Sequence, residues 1–433
     1  MTTAVPTALL ALGALATVVI VIVVFRAAPR SALLAWTFGL FLIPIWVGVT
    51  LGPHWPAIVL LTIMLIIANW SHVALHPADA FMASFAGVVL ILLAVGEVGL
   101  GAAVIVLMEW TVPYVWGRVV LARVAPLWAS SAISIAALCA AILAIVEFVT
   151  SFNPFILIPG PEPLYSTWNS LQMRGGVLRA EGAFGHSIAL GATLAMSSAF
   201  VLHSRWRAVP KVLAVALIVT ATVLTFSRTA QITIVLTLVA SIVLLPGLSR
   251  RLRVGVIALG ALGAGVVLPI IGSVLGAAGD EAVGSAGYRS DLLVLLRQAK
   301  LFGGAGEWQG LVEGDFYLGH FANSVDNALV LAALRYGIVP TLLMIAVIIT
   351  PVVGLLKRYR RNPAAVAVAC QLPSLVVVAL ITQYGVALWF CIGLAVAWRE
   401  EPPHGGLLGR VPQAGTGVLR SIGASSPSGR SDR

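Results

Sequence analysis

Apolar residues run along this chain in blocks of about twenty, separated by short polar breaks rich in arginine, glycine and proline. Blocks of that length match the hydrocarbon thickness of a bilayer. They fall near residues 6–25, 32–51, 56–71, 80–96, 98–116 and 127–149, and again near 185–203, 211–226, 229–246, 253–275, 338–356, 364–381 and 383–398. The pattern predicts an all-α polytopic integral membrane protein with about 12–13 transmembrane helices, the lower number applying if one early run does not cross. No repeat of 20–50 residues is visible. Residues 1–401 read as one transmembrane domain. Residues 402–433, rich in Gly, Ser and Pro and without apolar periodicity, read as a disordered tail.

Composition sharpens this picture by exclusion. Of 433 residues 60% are apolar and 10% charged, with mean hydropathy +1.03, which rules out a water-soluble globule and a disordered chain alike. Cys139, Cys370 and Cys391 all sit inside apolar runs, and no CxxC, HExxH or Cys/His cluster occurs, so neither a disulfide framework nor a metal site is expected. The first arginines, Arg26 and Arg30, follow the first apolar run instead of preceding it. That run is expected to be an uncleaved span and not a signal peptide.

The net charge of +10 reads as arginine-rich cytoplasmic loops, and no nucleic-acid partner is expected. Most of the 26 basic residues fall in Arg26/Arg30, Arg118/Arg123, Arg205/Arg207/Lys211, Arg250/Arg251/Arg253, Lys357/Arg358/Arg360/Arg361 and the tail. Alternation of spans puts these on one side, which the bias of basic residues makes cytoplasmic, with the N-terminus outside and the C-terminus inside. Arg174, Arg179, Arg228, Arg289, Arg297, Lys300 and Arg335 then lie on the outer face. They share it with most of the acidic residues, and two long connections of about 150–184 and 276–337 hold most of both sets. Connections this long in a compact membrane protein are usually functional, so the extracytoplasmic face is expected to do the work.

Four segments there carry candidate chemistry. Arg179-Ala-Glu-Gly-Ala-Phe-Gly-His186 enters the seventh span with two glycines that let backbone pack closely. Its arginine and histidine are ligand groups, or else an interfacial arginine and a histidine satisfied by a carbonyl. Leu224-Thr-Phe-Ser-Arg-Thr229 is a hairpin of almost no length between spans. An arginine at the already positive start of a membrane helix is unfavourable, which points to an anion held by Arg228 and free helix N–H groups; the bland alternative is a short polar turn. Tyr288-Arg-Ser-Asp291 leads into Leu292, Leu293, Leu295, Leu296 and Ala299 at helical spacing. This predicts an amphipathic surface helix capped by Ser290, with Arg289 at its positive end. Lastly, Asp326 to Leu356 is 31 residues, about 46 Å as helix against a core of roughly 30 Å. A break at Gly337–Pro340 is expected, leaving Asp326–Tyr336 as a rim helix opened by Asp326 and Asn327, with Asp326 either its cap or a general base. Glu109 and Glu147, inside or near spans, read as structural.

Taken in order, these segments resemble the O-antigen ligase/polymerase superfamily of bacterial membrane proteins. The matching pieces are Arg179-x-x-Gly-x-Phe-Gly-His186, Thr225-Phe-Ser-Arg-Thr229, Arg289-Ser-Asp291, and Asp326-Asn327 with Tyr336-Gly-Ile-Val339, spanning roughly residues 179–345. The resemblance implies a GT-C-like, metal-independent glycosyltransferase of the bacterial plasma membrane, without cofactor. It would move a glycan from a polyprenyl diphosphate carrier to a glycan or lipid-linked acceptor hydroxyl on the outer face. It carries Arg228 and Arg289 over as diphosphate clamps and Arg179 as a third; a carboxylate such as Asp326 could then take the acceptor's proton as general base. His186, His320, Asn327 and Arg335 stand as substrate-binding candidates, the two histidines also as substitute bases. O-antigen ligases usually have His-Asn where this chain has Asp326-Asn327; the acidic version looks more like polymerases and exopolysaccharide members. A transporter or lipid-linked flippase is the alternative, and would place its ionisable residues at the bilayer midplane.

Overall fold

The computed structural model describes residues 4–162, 164–174, 176–261, 292–306, 312–313, 316–317, 325–358 and 361–398. Arg289 and His320, together with the tail from 402 onward, lie outside the described residues.

The chain is mostly helical. In order come α1 (Ala4–Ala27), α2 (Pro29–Leu42), the hairpin β1 (Gly48–Thr50) and β2 (His54–Pro56), α3 (Ala57–Asn69), α4 (Pro77–Ala94) and α5 (Leu100–Val104). A π-helical turn, Ile105–Thr111, joins α5 to α6 (Val112–Val120), followed by α7 (Pro126–Thr150) and α8 (Leu164–Trp168). A second hairpin, β3 (Met173–Arg174) and β4 (Val177–Leu178), precedes α9 (Ser187–His203), α10 (Ala208–Leu224), α11 (Arg228–Leu244) and α12 (residues 250–261). After a third hairpin, β5 (Val312–Glu313) and β6 (Phe316–Tyr317), come α13 (Ala328–Tyr336), α14 (Ile338–Gly354), α15 (Pro363–Leu375) and α16 (Thr382–Ala397).

Pro77–Ala94, Leu100–Val120 and Pro126–Thr150 are each long and apolar enough to cross a membrane, and the bent pair Leu15–Ala27 and Pro29–Leu42, turning by 118°, makes up to four among the described residues. Other apolar helices run 10–17 residues, and 17 residues rise only about 25 Å. They are shortened where polar turns cut the apolar runs, as at Thr225–Ser227. The run expected over 32–51 stops at Leu42, because Pro44 cannot continue a helix and the chain turns into the β1–β2 hairpin. The break expected near Gly337 is present: Gly337 takes φ +98° and separates α13 from α14.

Two helices form the centre. Nearly every residue of α9 and α16 is buried, which their small residues permit from all sides. α16 lies backbone to backbone on α6: a Cβ on Gly117 would meet the Phe390 carbonyl, and one on Gly393 the Tyr114 carbonyl. α4 is tied to α6 by Asp79, whose carboxylate accepts from Arg118 Nε at 2.7 Å, Arg118 Nη2 at 2.8 Å and Tyr114 OH at 2.6 Å, while Arg118 Nη2 also donates to the Ala74 carbonyl. The outer surfaces of α7, α10 and α11 expose Ile142, Val146, Leu213, Ile232, Val239 and Val243, an apolar exterior suited to lipid.

The region expected to form an amphipathic helix after Ser290 is instead a short 3-10 turn, Val294–Gln298. Three-residue spacing aligns Leu292 and Leu295, both buried against Val330 and Leu334 of α13. Leu293 and Leu296 stay exposed.

Candidate functional site

One end of the bundle gathers the polar segments. α9 and α11 both start there, α7 and α15 end there, and α15 packs against α9 and α11. Gln371, four residues from the end of α15, donates to the Ala192 carbonyl early in α9 and accepts from Tyr384 OH near the start of α16. Gln383 donates to the carbonyls of Ala183 and Ile43, so the segment before α9 and the end of α2 share this end.

The turn between α10 and α11 is the focus. Phe226 sits in the left-handed region at φ +46°, and Ser227 caps α11 by accepting from Ala230 N at 3.2 Å. Arg228 is therefore the first residue of the helix, and it is exposed. Two further arginines reach the same turn. Arg179 Nε donates to the Thr225 carbonyl at 2.9 Å, and Arg174 Nη1 to the Phe226 carbonyl at 3.1 Å. Backbone pairing reinforces this, with Ala180 N on the Leu224 carbonyl. These bonds to carbonyl oxygens orient the two guanidinium groups. Three arginines thus belong to one turn at a helix N-terminus that is itself positive.

The hairpin explains how Arg174 and Arg179 face the same way. Met173 pairs with Leu178 and Arg174 with Val177, and the next pair is Gln172 with Arg179, whose N–H donates to the Gln172 carbonyl at 3.0 Å. Cross-strand partners share a face, and so do residues two apart; Gln172, Arg174 and Arg179 therefore lie together. Gln172 Oε1 accepts from Arg179 Nη1 at 3.3 Å and from Ser187 Oγ at 2.9 Å.

His186 precedes α9, its ring edge-on to Trp168 with centroids 5.9 Å apart. Its Nδ1 is buried without a hydrogen-bond partner, so the carbonyl-satisfied alternative does not hold at that atom. Beside it Glu181 is buried. Burial pushes its carboxyl up to about 8, the neighbouring Glu147 charge adds to this, and the Gln172 N–H and Arg179 oppose it. The folded chain therefore holds a proton that the unfolded chain releases near 4.5. The associated stability is complete below pH 4.5 and is lost as pH rises towards 8. The melting temperature in detergent is expected to fall over that window, and to fall less in Glu181→Gln; equal slopes would remove Glu181 as the cause.

At α13 the cap differs from expectation by one residue. Asn327, not Asp326, is the N-cap: Oδ1 accepts from Leu329 N and Val330 N, each at 3.0 Å, and Nδ2 donates to the Val376 carbonyl at 3.0 Å. A carboxylate has no donor for Val376. The Asn327 carboxamide is thus committed to the fold on both sides, and pins the half-buried Asp326 over the end of α15. Arg335 stands apart from the arginine turn. It lies near Glu109 of the π-helical turn and beside Tyr336, whose OH donates to the Ala102 carbonyl.

The structure thus brings Arg179 and Arg228 onto one turn, adds Arg174, and sets His186 and Asp326–Asn327 at the same end of the bundle. Among the described residues no group of three or more His, Cys, Asp or Glu is placed to hold a metal ion. A scan against protein-family models gives no match, and no curated protein is significantly similar to the chain.

Proposed function

We propose that this protein is a membrane glycosyltransferase that moves a glycan from a polyprenyl diphosphate carrier to an acceptor hydroxyl, as an O-antigen or exopolysaccharide ligase or polymerase does. The reading rests on one observation: Arg174 and Arg179 both fasten onto the carbonyls directly ahead of Arg228 at the start of α11. Guanidinium forks match phosphate oxygens, and a helix N-terminus adds N–H donors, so this arrangement suits a multiply charged phosphate ester.

In this reading the acceptor oxygen attacks the anomeric carbon and the bond to the diphosphate breaks. The electron pair leaves on the phosphate oxygen, where the arginines stabilise it. Asp326 takes the acceptor's proton. A single displacement inverts the anomeric carbon. Arg289 joins the clamp, the fold is GT-C-like with about 12–13 crossings, and the site faces outward from a bacterial plasma membrane, with the C-terminus cytoplasmic.

A transporter or flippase has one observation in its favour, Glu109 in a π-helical turn of a spanning helix with Arg335 acting on it. Detergent separates the two, because transport cannot occur there. Purified protein is expected to transfer labelled glycan from a polyprenyl diphosphate donor to an acceptor glycan. Asp326→Asn is expected to lower kcat by about 10²–10⁴-fold while Asn327 keeps the cap of α13. Folded wild-type protein that transfers nothing across a panel of donors would refute the reading.

A further inference from the structure

We infer that Glu147, near the end of α7, is a positioning residue that sets Arg179 in the arginine site; the inference rests on the function proposed above. Glu147 is 2% exposed, and its carboxylate is surrounded by donors from elsewhere in the chain. Oε1 accepts from Asn153 Nδ2 at 2.9 Å and Glu181 N at 3.2 Å; Oε2 accepts from Gly182 N at 2.8 Å and Glu181 N at 3.3 Å. Asn153 Nδ2 also donates to the Gly182 carbonyl. Gly182, at φ +55°, lets two successive N–H groups turn toward one carboxylate, the geometry of an anion-binding nest.

The nest lies two residues beyond Arg179. Between them, Ala180 N is fixed on the Leu224 carbonyl. Glu181 Oε1 accepts from Gln172 N, and Gln172 Oε1 accepts from Arg179 Nη1. The strand carrying Arg179 is thus held by Glu147 on one side and by the Leu224–Thr225 carbonyls on the other. A buried carboxylate is costly unless several donors satisfy it, and here the donors belong to the segment that delivers the arginine. Glutamine cannot replace it, because both oxygens accept and an amide would turn an NH2 group against an N–H.

The test uses the full chain in detergent, with farnesyl diphosphate as the probe. Glu147→Gln is expected to weaken binding about tenfold, and Asn153→Ala to weaken it less. In an Arg179→Ala background the Glu147 change is expected to cost under about twofold, because the group it positions is gone. Without any ligand, amide exchange in peptides covering 172–186 is expected to quicken about tenfold in Glu147→Gln while that of 228–244 stays as in wild type. Unchanged exchange in 172–186, or a full tenfold loss in the Arg179→Ala background, overturns the inference. Wild-type protein that does not bind farnesyl diphosphate counts against the proposed donor instead, and the exchange result still decides Glu147.

Discussion

Arg228→Ala is expected to cut glycan transfer by about 10²–10³-fold, the usual cost of removing one preorganised donor to a developing oxyanion. The same change should leave the fold intact or slightly more stable. Arg228 is exposed, Ser227 performs the capping, and the charge sits at the end of α11 where the helix dipole disfavours a cation. Relieving that juxtaposition is worth about 0.3–1 kcal/mol. A residue whose loss stabilises the helix and removes activity is kept for its ligand. Arg228→Lys separates charge from geometry: lysine retains the cation without the planar fork, so partial transfer with weakened donor binding is expected. Melting temperature and transfer rate, read on the same preparations, check both halves. Full transfer by Arg228→Ala would remove the anion clamp from the mechanism.

Much of this site could be read before the fold was known, but as separate pieces. The Arg179–His186 and Leu224–Thr229 segments each stand out as charge placed where a membrane protein disfavours it. That they form one site depends on Arg179 Nε reaching the Thr225 carbonyl, a contact between residues far apart in sequence. Arg174 was within reach of the sequence: the adjacent glycines 175 and 176 mark a tight hairpin, and a period of two then puts Arg174 and Arg179 on one face. Glu147 was not, because its partners are mainly backbone N–H groups, which every residue but proline carries and no pattern of side chains reveals. The one-residue offset at α13 has a similar origin. Asp326 and Asn327 are equally good caps by type, and the Val376 carbonyl, brought in by α15, selects the one that can also donate.

The largest effect on stability is expected away from the arginine turn, at the Asp79–Arg118 pair. Its side chains are 17% and 7% exposed, and its geometry is bidentate. Arg118→Ala leaves the Asp79 carboxylate half-buried with only the Tyr114 hydroxyl and the His76 N–H, and should destabilise the chain by about 3–5 kcal/mol. Asp79→Ala strands the guanidinium instead, with the Ala74 carbonyl as its remaining hydrogen-bond partner among the described residues, and should cost a similar amount. The joint replacement Asp79→Leu with Arg118→Met is expected to recover most of either loss, because the penalty comes from the orphaned charge and not from the missing bond. Thermal unfolding in detergent, followed by tryptophan fluorescence, distinguishes this from simple additivity; losses that sum in the double variant would refute it. The consequence for activity is of a different kind from that at Arg228. α6 is sealed to α16 through Gly117 and Gly393, and α16 holds the segment before α9 through Gln383. Loosening α4 from α6 therefore reduces the fraction of molecules in which that end of the bundle is assembled. Transfer per folded molecule should stay near wild type, where Arg228→Ala lowers the rate of molecules that are fully folded.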